Sequence, residues 1–576
     1  MIYADAALML RDSRSLADTL RSAGAAANCA AGCATGCATG GSARARLYHN
    51  SAASRSGTNS CPNFLWVENL GPPRSHTWES RVPPADMGWR ISLRYRLFSD
   101  HRSNGIRLAL PLAARSTVRA VHFAEGADMS EARIRVLFVV TVVLLLGVSQ
   151  NLPAQFRGAR DPGVRGGAAG AGGPLAGLTP DEQEIFTVGL EDFSEEEGVT
   201  DGVGPRFNFV GCAGCHTQPA VGGTSPAQNP LLRVTSDLKF TGNVMPSFIT
   251  PNGPIREARF QFNSDGSRDG GVHALFVITG NPEAAGCNIR QEDFETQVRN
   301  RNIIFRIPTP VFGAGLIENI KDSTLVSNLN ANSTTKRNLG ISGRLNRNGN
   351  DGRVSKFGWK AQNPSLLVFS GEAYNVEMGI TNEAFPHERD ETTSCQFANV
   401  PNDVTASVRQ IGAIENFANF QRFLAAPTPV TSFTGASSFS IARGKQRFAD
   451  VGCALCHTPS LAVNANASVV ALRNNGQPAN LYSDLALHQM GPGLADDILQ
   501  GAARGDEFRT APLWGLGKRI FFLHDGRTND LEVAIQAHRS DGNSKFGPSE
   551  ANGVISNFNR LDSDSQQDLL NFLRSL

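Results

Sequence analysis

The chain has 576 residues, 40% hydrophobic and 19% charged, enough for roughly two to four domains with apolar cores. Fifty-four basic residues against fifty-three acidic leave a net charge of +1, so no positive field favours a nucleic-acid partner. Only one strongly apolar run stands out, which excludes a polytopic membrane protein, and 58 Gly with 30 Pro make the chain loop-rich without making it disordered.

Residues 1–128 are rich in Arg, Ser and Ala and show no sustained helical or strand period. The apolar run Val136–Val148 is shorter than the about 20 residues of a membrane helix. With Arg133 and Arg135 before it and Ala154 after it, it reads as a secretory signal peptide at 129–154. Met129 is then the expected start, and 1–128 an upstream mis-translation. Two alternatives stand beside this: a membrane-anchoring signal-anchor with a tail, and a metal-binding extension using Cys29, Cys33, Cys37 and Cys61, whose spacing is unlike paired CxxC ligands.

Residues 155–178, Gly/Ala/Arg/Pro-rich, read as a flexible linker. A helix is expected after Thr179, an N-cap followed by Pro180 and by Glu182 as the capping-box acid. Phe186, Leu190 and Phe193 give it one buried face. From about 217 to 425, short apolar runs are broken by Gly, Asn and Pro; Ile303–Phe312 reads as irregular loop. Residues 426–432 form a Pro/Thr linker and a domain boundary. Ile441–Phe448 reads as helical, and Leu569, Phe572, Leu573 and Leu576 share one face of a terminal helix.

What repeats is a chemical pattern. Cys212, Cys215 and His216 form one CxxCH; Cys453, Cys456 and His457 form another. Ten cysteines and eleven histidines in a chain this long give about 0.003 chance copies of that pattern. Two thiols one turn apart can add across the two vinyl groups of one porphyrin, and the adjacent histidine then lies beneath the iron. A redox CxxC or half a zinc site would not need the trailing histidine twice. Two covalent haem c groups are therefore expected, with His216 and His457 as iron ligands. Cys287 and Cys395 remain as an isolated pair, and in an oxidising compartment such a pair is expected to be a disulfide. Candidate ligands for the far side of each iron are Met245, His273, Met378, His387, His488, Met490, His524 and His538.

The second half carries Phe508–Gly515, Phe521–Gly526 with its HDG at 524–526, and Leu531–His538. These resemble the C-terminal domain of bacterial di-haem cytochrome c peroxidases, where a ligand of the electron-transfer haem follows the HDG by fourteen residues. Here that position is His538 in place of Met, which implies a bis-His iron with His457 and a lower potential. Residues 178–576 are similar to the di-haem oxidoreductase family related to those peroxidases and often labelled thiol oxidoreductases. Thr250–Arg259, Phe305–Gly313 and Phe357–Asn363 carry that likeness. Because every CxxC here belongs to a CxxCH, the thiol label is not adopted.

The resemblance also implies site residues. Trp359 with the stretch to Asn363, then Asn375–Gly379, is similar to the peroxidase segment supplying an inter-haem Trp and a distal Glu. Glu377 is the implied acid–base group and Trp359 the implied relay. The peroxidase pattern has Gln ten residues before the Glu; this chain has Leu367. His488 and Met490 read as haem-edge packing, with Met490 a reserve ligand, and Arg509 as the partner of a haem propionate. Calcium between the domains occurs in the related peroxidases, although no clustered carboxylates here demand it.

The expected fold is mainly α, with two cytochrome c-like haem domains, 179–425 and 433–576, and a long loop-rich insertion between the haem sites. The expected function is a periplasmic di-haem c oxidoreductase. It would reduce hydrogen peroxide at the N-terminal haem with electrons from the C-terminal haem, themselves taken from a small cytochrome or cupredoxin. The alternatives are an electron-transfer cytochrome without a substrate site and a di-haem oxygenase or protein-modifying enzyme.

Overall fold

The computed structural model describes residues 158–576 apart from 237–241, 269–275 and 408–409. The expected extension 1–128, the signal peptide at 129–154 and His273 lie outside the described residues. Among those described, no helix is long and apolar enough to cross a membrane.

Helix α1 (Pro180–Ser194) starts as its sequence predicts: the Thr179 hydroxyl accepts from the Glu182 amide, and the Glu182 carboxylate accepts from the Thr179 amide. After it come β1 (Arg206–Phe207), α2 (Cys212–Cys215), α3 (Arg233–Ser236), β2 (Glu257–Phe260), β3 (Phe276–Val277), α4 (Phe294–Arg299) and β4 (Ile303–Arg306). Then follow α5 (Ala314–Glu318), α6 (Asp322–Asn330), α7 (Ser333–Asn338), α8 (Leu366–Met378) and α9 (Ala413–Phe423). The last part holds α10 (Ser438–Asp450), β5 (Leu487–Gln489), β6 (Glu507–Arg509), α11 (Leu531–Gln536), α12 (Asn552–Phe558) and α13 (Ser563–Ser575). The strands form three antiparallel pairs, β1–β3, β2–β4 and β5–β6. The molecule is helix-rich with short strands, as expected for the fold class.

Two helix crossings organise the regions around the two CxxCH motifs. Helix α1 meets α9 at Gly189, where an added Cβ would lie 2.5 Å from the Asn416 carbonyl oxygen. Phe186 and Phe193 close that crossing on Phe420, at ring-centroid distances of 5.5 and 4.9 Å. Helix α10 meets α13 at Gly444, where a Cβ would lie 1.9 Å from the Asp568 carbonyl oxygen; Phe448 packs on Phe572 at 5.4 Å. In both places a glycine lets two backbones approach, and aromatic rings fill the flanks.

Two stretches differ from expectation. Residues 158–178 are a hydrogen-bonded strap, not a flexible linker. Arg165 donates to the carbonyls of Gly517 and Ser575, Asp161 pairs with Arg574 at 2.6 Å, and Gly170 and Gly173 accept from Thr428 and Ala425. Ile303–Arg306 is a strand and not loop: it pairs with β2 in the register Glu257↔Arg306 to Phe260↔Ile303. Its partner lies far back in sequence, so local pattern could not show the pairing.

Residues 314–366, read from sequence within the first haem domain's insertion, share a core with the second half. Leu316, Ile320, Leu325 and Phe357 are buried with Leu461, Leu481, Leu485 and Trp514. Arg344 bridges to Leu487, and Ser342 and Gly343 donate to Glu550. The Cys287–Cys395 disulfide forms, closing a sequence separation of 108 residues.

Candidate functional site

Each CxxCH forms one wall of a cavity. The first cavity is lined by Cys212, Cys215 and His216. Helix α8 contributes Glu372, Tyr374, Glu377 and Met378 to the same lining, joined by Trp359, Gln362 and Gln421. The His216 Nδ1–H donates to the Gly223 carbonyl at 3.0 Å, which leaves Nε2 as the nitrogen available to iron. Burial pushes this imidazole down to about 4, against the Gly223 and Thr309 carbonyls, so it is neutral, as a ligand must be. The same burial raises both thiols, keeping them protonated in the absence of a bond to another group.

Glu377 owes its position to the end of α8. Ser365 caps the helix start, accepting from the Val368 amide, and Gly379 ends it with φ +71°. An added Cβ at Gly379 would lie 2.7 Å from Gly204 Cα, so only glycine fits. The carbonyls of Glu377 and Met378 accept from the Asn208 and Gly204 amides, pinning the last turn. Burial, then the nearby Glu257 charge, pushes the Glu377 carboxyl up to about 8, with Arg259 opposing. It faces the cavity together with Met378, which is buried. Met245 packs against the surrounding core and does not line this cavity; His387 is exposed and pairs with Glu391 at 2.9 Å.

Leu367 packs into the core. Two other glutamines, from either side of α8 in sequence, supply amides at the cavity: Gln362 donates to Glu372 at 3.3 Å, and Gln421 donates to the Ser370 hydroxyl at 3.0 Å. Gln362 lies in the Phe357–Asn363 stretch already singled out, whereas Gln421 carried no local signal, since only the fold brings it to this cavity.

The second cavity is lined by Cys453, Cys456, His457, His488, Met490, His524 and His538. His457 donates from Nδ1 to the Tyr482 carbonyl at 3.1 Å, and His538 from Nδ1 to the Ala534 carbonyl at 2.8 Å. Both rings thus keep Nε2 for a metal. Burial and then the neighbouring His538 push His457 down to about 4. Burial also lowers His538.

Arg509 lies in β6 and lines this cavity; its Nε donates to the Gly358 carbonyl at 2.9 Å. Arg519 lines it as well, and among the described residues neither has a carboxylate ion-pair partner. Burial, joined at Arg509 by the charge of Arg519, lowers both guanidiniums to about 10. Two enclosed cations facing a cavity suit the propionates of a porphyrin, so the donor set fits haem. His488 stands at the cavity edge, 3.8 Å from the Cys456 sulfur, between Asp484 and Glu550. Cys456, Asp484 and His488 are the one group of three potential metal-ligating atoms found within 4.8 Å of one another among the described residues. His488 is the hydrogen-bond partner of the other two, and no group of three carboxylates comes within that distance among the described residues.

Trp359 lines both cavities. Its indole N–H donates to the Ile307 carbonyl at 3.0 Å, and its carbonyl accepts from the Arg509 amide. The His524 ring lies edge-on to it at 6.3 Å and stacks on Phe508 at 4.3 Å. The HDG turn is in turn fastened to the first half: Ile307 donates to the His524 carbonyl, and Arg256 to the Asp525 carbonyl at 3.0 Å. Lys360 is fully buried over Phe508 and pairs with Asp496, which also binds Arg306.

The family described as "Di-haem oxidoreductase, putative peroxidase" matches residues 265–576. No curated protein matches the chain. Among solved structures, a MauG-like protein associated with microbial copper homeostasis is 17% identical over 47% of this chain and 90% of that one, with a TM-score of 0.24. So loose a superposition says nothing about function. The family match spans more than half of the chain and includes the second CxxCH, Trp359, Glu377 and His538: the protein belongs to the di-haem oxidoreductase family.

Proposed function

We propose that the protein is an exported di-haem c peroxidase. The observation that carries this is the shared wall: Glu377 faces the His216 cavity, and Trp359 lines that cavity and the one holding His457 and His538. Cys212 and Cys215 attach one haem, Cys453 and Cys456 the other, each thiol adding across a vinyl group. Haem iron, when bound, supplies an open coordination position for peroxide and one-electron steps. Glu377 takes a proton from one peroxide oxygen and returns it to the other, which a positioned carboxylate can do. His457 and His538 would hold the second haem through Nε2, and iron so held would serve as an electron carrier. Trp359 is the conductor between the cavities, and Arg509 and Arg519 hold propionates. Each hydrogen peroxide consumes two electrons and two protons and gives two waters. The electrons come from a small periplasmic cytochrome or cupredoxin. The disulfide supports export, because such bonds persist in oxidising compartments.

Turnover of hydrogen peroxide with a reduced carrier, measured on protein matured with both haems, tests the reading. Glu377→Gln is expected to lower turnover by roughly 10²- to 10⁴-fold at unchanged haem content. An unchanged rate retires Glu377 as the acid–base group. Low-temperature EPR of the ferric and half-reduced protein should show a high-spin iron in one state; low-spin signals alone in both would make the protein an electron carrier.

A further inference from the structure

Tyr374 lies on α8 one turn before Glu377 and lines the same cavity, near Cys212. It is 5% exposed and packs edge-on against Phe417, with ring centroids 5.0 Å apart. Its hydroxyl donates a 2.8 Å hydrogen bond to Oε1 of Glu197. Glu197 sits in the acidic turn after α1, where the Val210 carbonyl holds its amide and Glu195 and Glu196 are exposed. Burial, opposed by the Tyr374 hydrogen bond, raises the Glu197 carboxyl to about 7. A buried phenol needs only some acceptor, and a backbone carbonyl would serve. Here the acceptor is an ionisable, half-buried group between the cavity-lining Tyr374 and the exposed Glu195 and Glu196, which gives a departing proton a destination.

We propose that Tyr374 and Glu197 form a redox dyad, a one-electron gateway between the first cavity and the surface that is separate from Trp359. The inference rests on the peroxide reading for its physiological oxidant. Once hydrogen peroxide has oxidised the haem held by His216, Tyr374 returns one electron to that haem. Its O–H bond breaks, the proton passes to the Glu197 carboxylate, and a neutral tyrosyl radical and a protonated Glu197 remain. A one-electron donor at the Glu195–Glu197 surface then reduces the radical, which takes its proton back from Glu197. Moving the proton with the electron avoids leaving an uncompensated charge in an apolar wall.

The test oxidises the di-haem holoprotein without peroxide, by flash photolysis of a ruthenium polypyridyl with a cobalt(III) quencher. The readouts are transient absorption and EPR after ring-deuteration of tyrosine. The expected result is a tyrosyl radical in the wild type that is absent in Tyr374→Phe. In Glu197→Gln it should form roughly tenfold more slowly, a barrier increase of about 1.4 kcal/mol. Haem content and circular dichroism establish that both variants fold. A radical that persists in Tyr374→Phe, or a wild type that oxidises without forming one, overturns the dyad. Peroxide addition to the same samples separates the two ideas: an unchanged haem spectrum sinks the peroxide reading, while the flash-generated radical still supports the dyad.

Discussion

His488 is held between two enclosed carboxylates, Asp484 at 3.0 Å and Glu550 at 2.8 Å. Burial raises the Glu550 carboxyl, but the hydrogen bond and charge of His488, helped by Ser342, outweigh it and bring the group to about 2. A carboxyl lowered on folding adds stability above its unfolded value, near 4.5, and loses it as pH falls towards 2. The shift corresponds to roughly 3 kcal/mol. Glu550→Gln should therefore lower stability at neutral pH by about that much and flatten the acid limb between pH 4.5 and 2. Urea unfolding of the holoprotein at stepped pH measures both; an unaltered acid limb would show that another group is responsible. At this scale the two CxxCH motifs were readable because each is written in five consecutive residues. The His488–Glu550 contact was not, since its members are far apart in the chain and meet only through folding.

The α10–α13 crossing depends on Gly444, whose missing side chain admits the Asp568 carbonyl. The contact on the other side is backbone, which cannot turn away as a flexible side chain can. Gly444→Ala should cost roughly 3 kcal/mol through overpacking, even though alanine is the better helix former. Denaturant unfolding checks the value, and a neutral effect would mean that the helices can slide apart cheaply. The helices themselves were evident in the sequence: α1 from its capping box and apolar spacing, α13 from Leu569, Phe572 and Leu573 on one face. Strand β4 was not evident, because prolines at 308 and 310 suggested loop and its partner β2 is remote.

The strap and the C-terminal helix fasten one another across nearly the whole described chain. Arg574 is fully buried, and Asp161 is its carboxylate partner. Burial works against the Asp161 anion, but Arg574 and the amides of Gly163 and Leu531 bring its carboxyl below the ordinary value. Asp161→Asn leaves the guanidinium without a counter-charge and should cost roughly 3–5 kcal/mol. Hydrogen exchange is expected to accelerate in α13 before it does in α1; uniform acceleration would show instead that the strap belongs to a single cooperative unit.

Local chemistry written in consecutive residues, namely the two CxxCH motifs, the Thr179 cap and the terminal amphipathic helix, can be read without knowing the fold. Such features depend on short spacing or on a few turns of helix. Facing Gln421 into the first cavity and pairing Tyr374 with Glu197 depend on contacts across 51 and 177 residues. No local pattern encodes those contacts, and even Trp359, singled out by resemblance, reaches both cavities only through the fold. They arise when buried apolar faces and backbone hydrogen bonds select one packing of the whole chain.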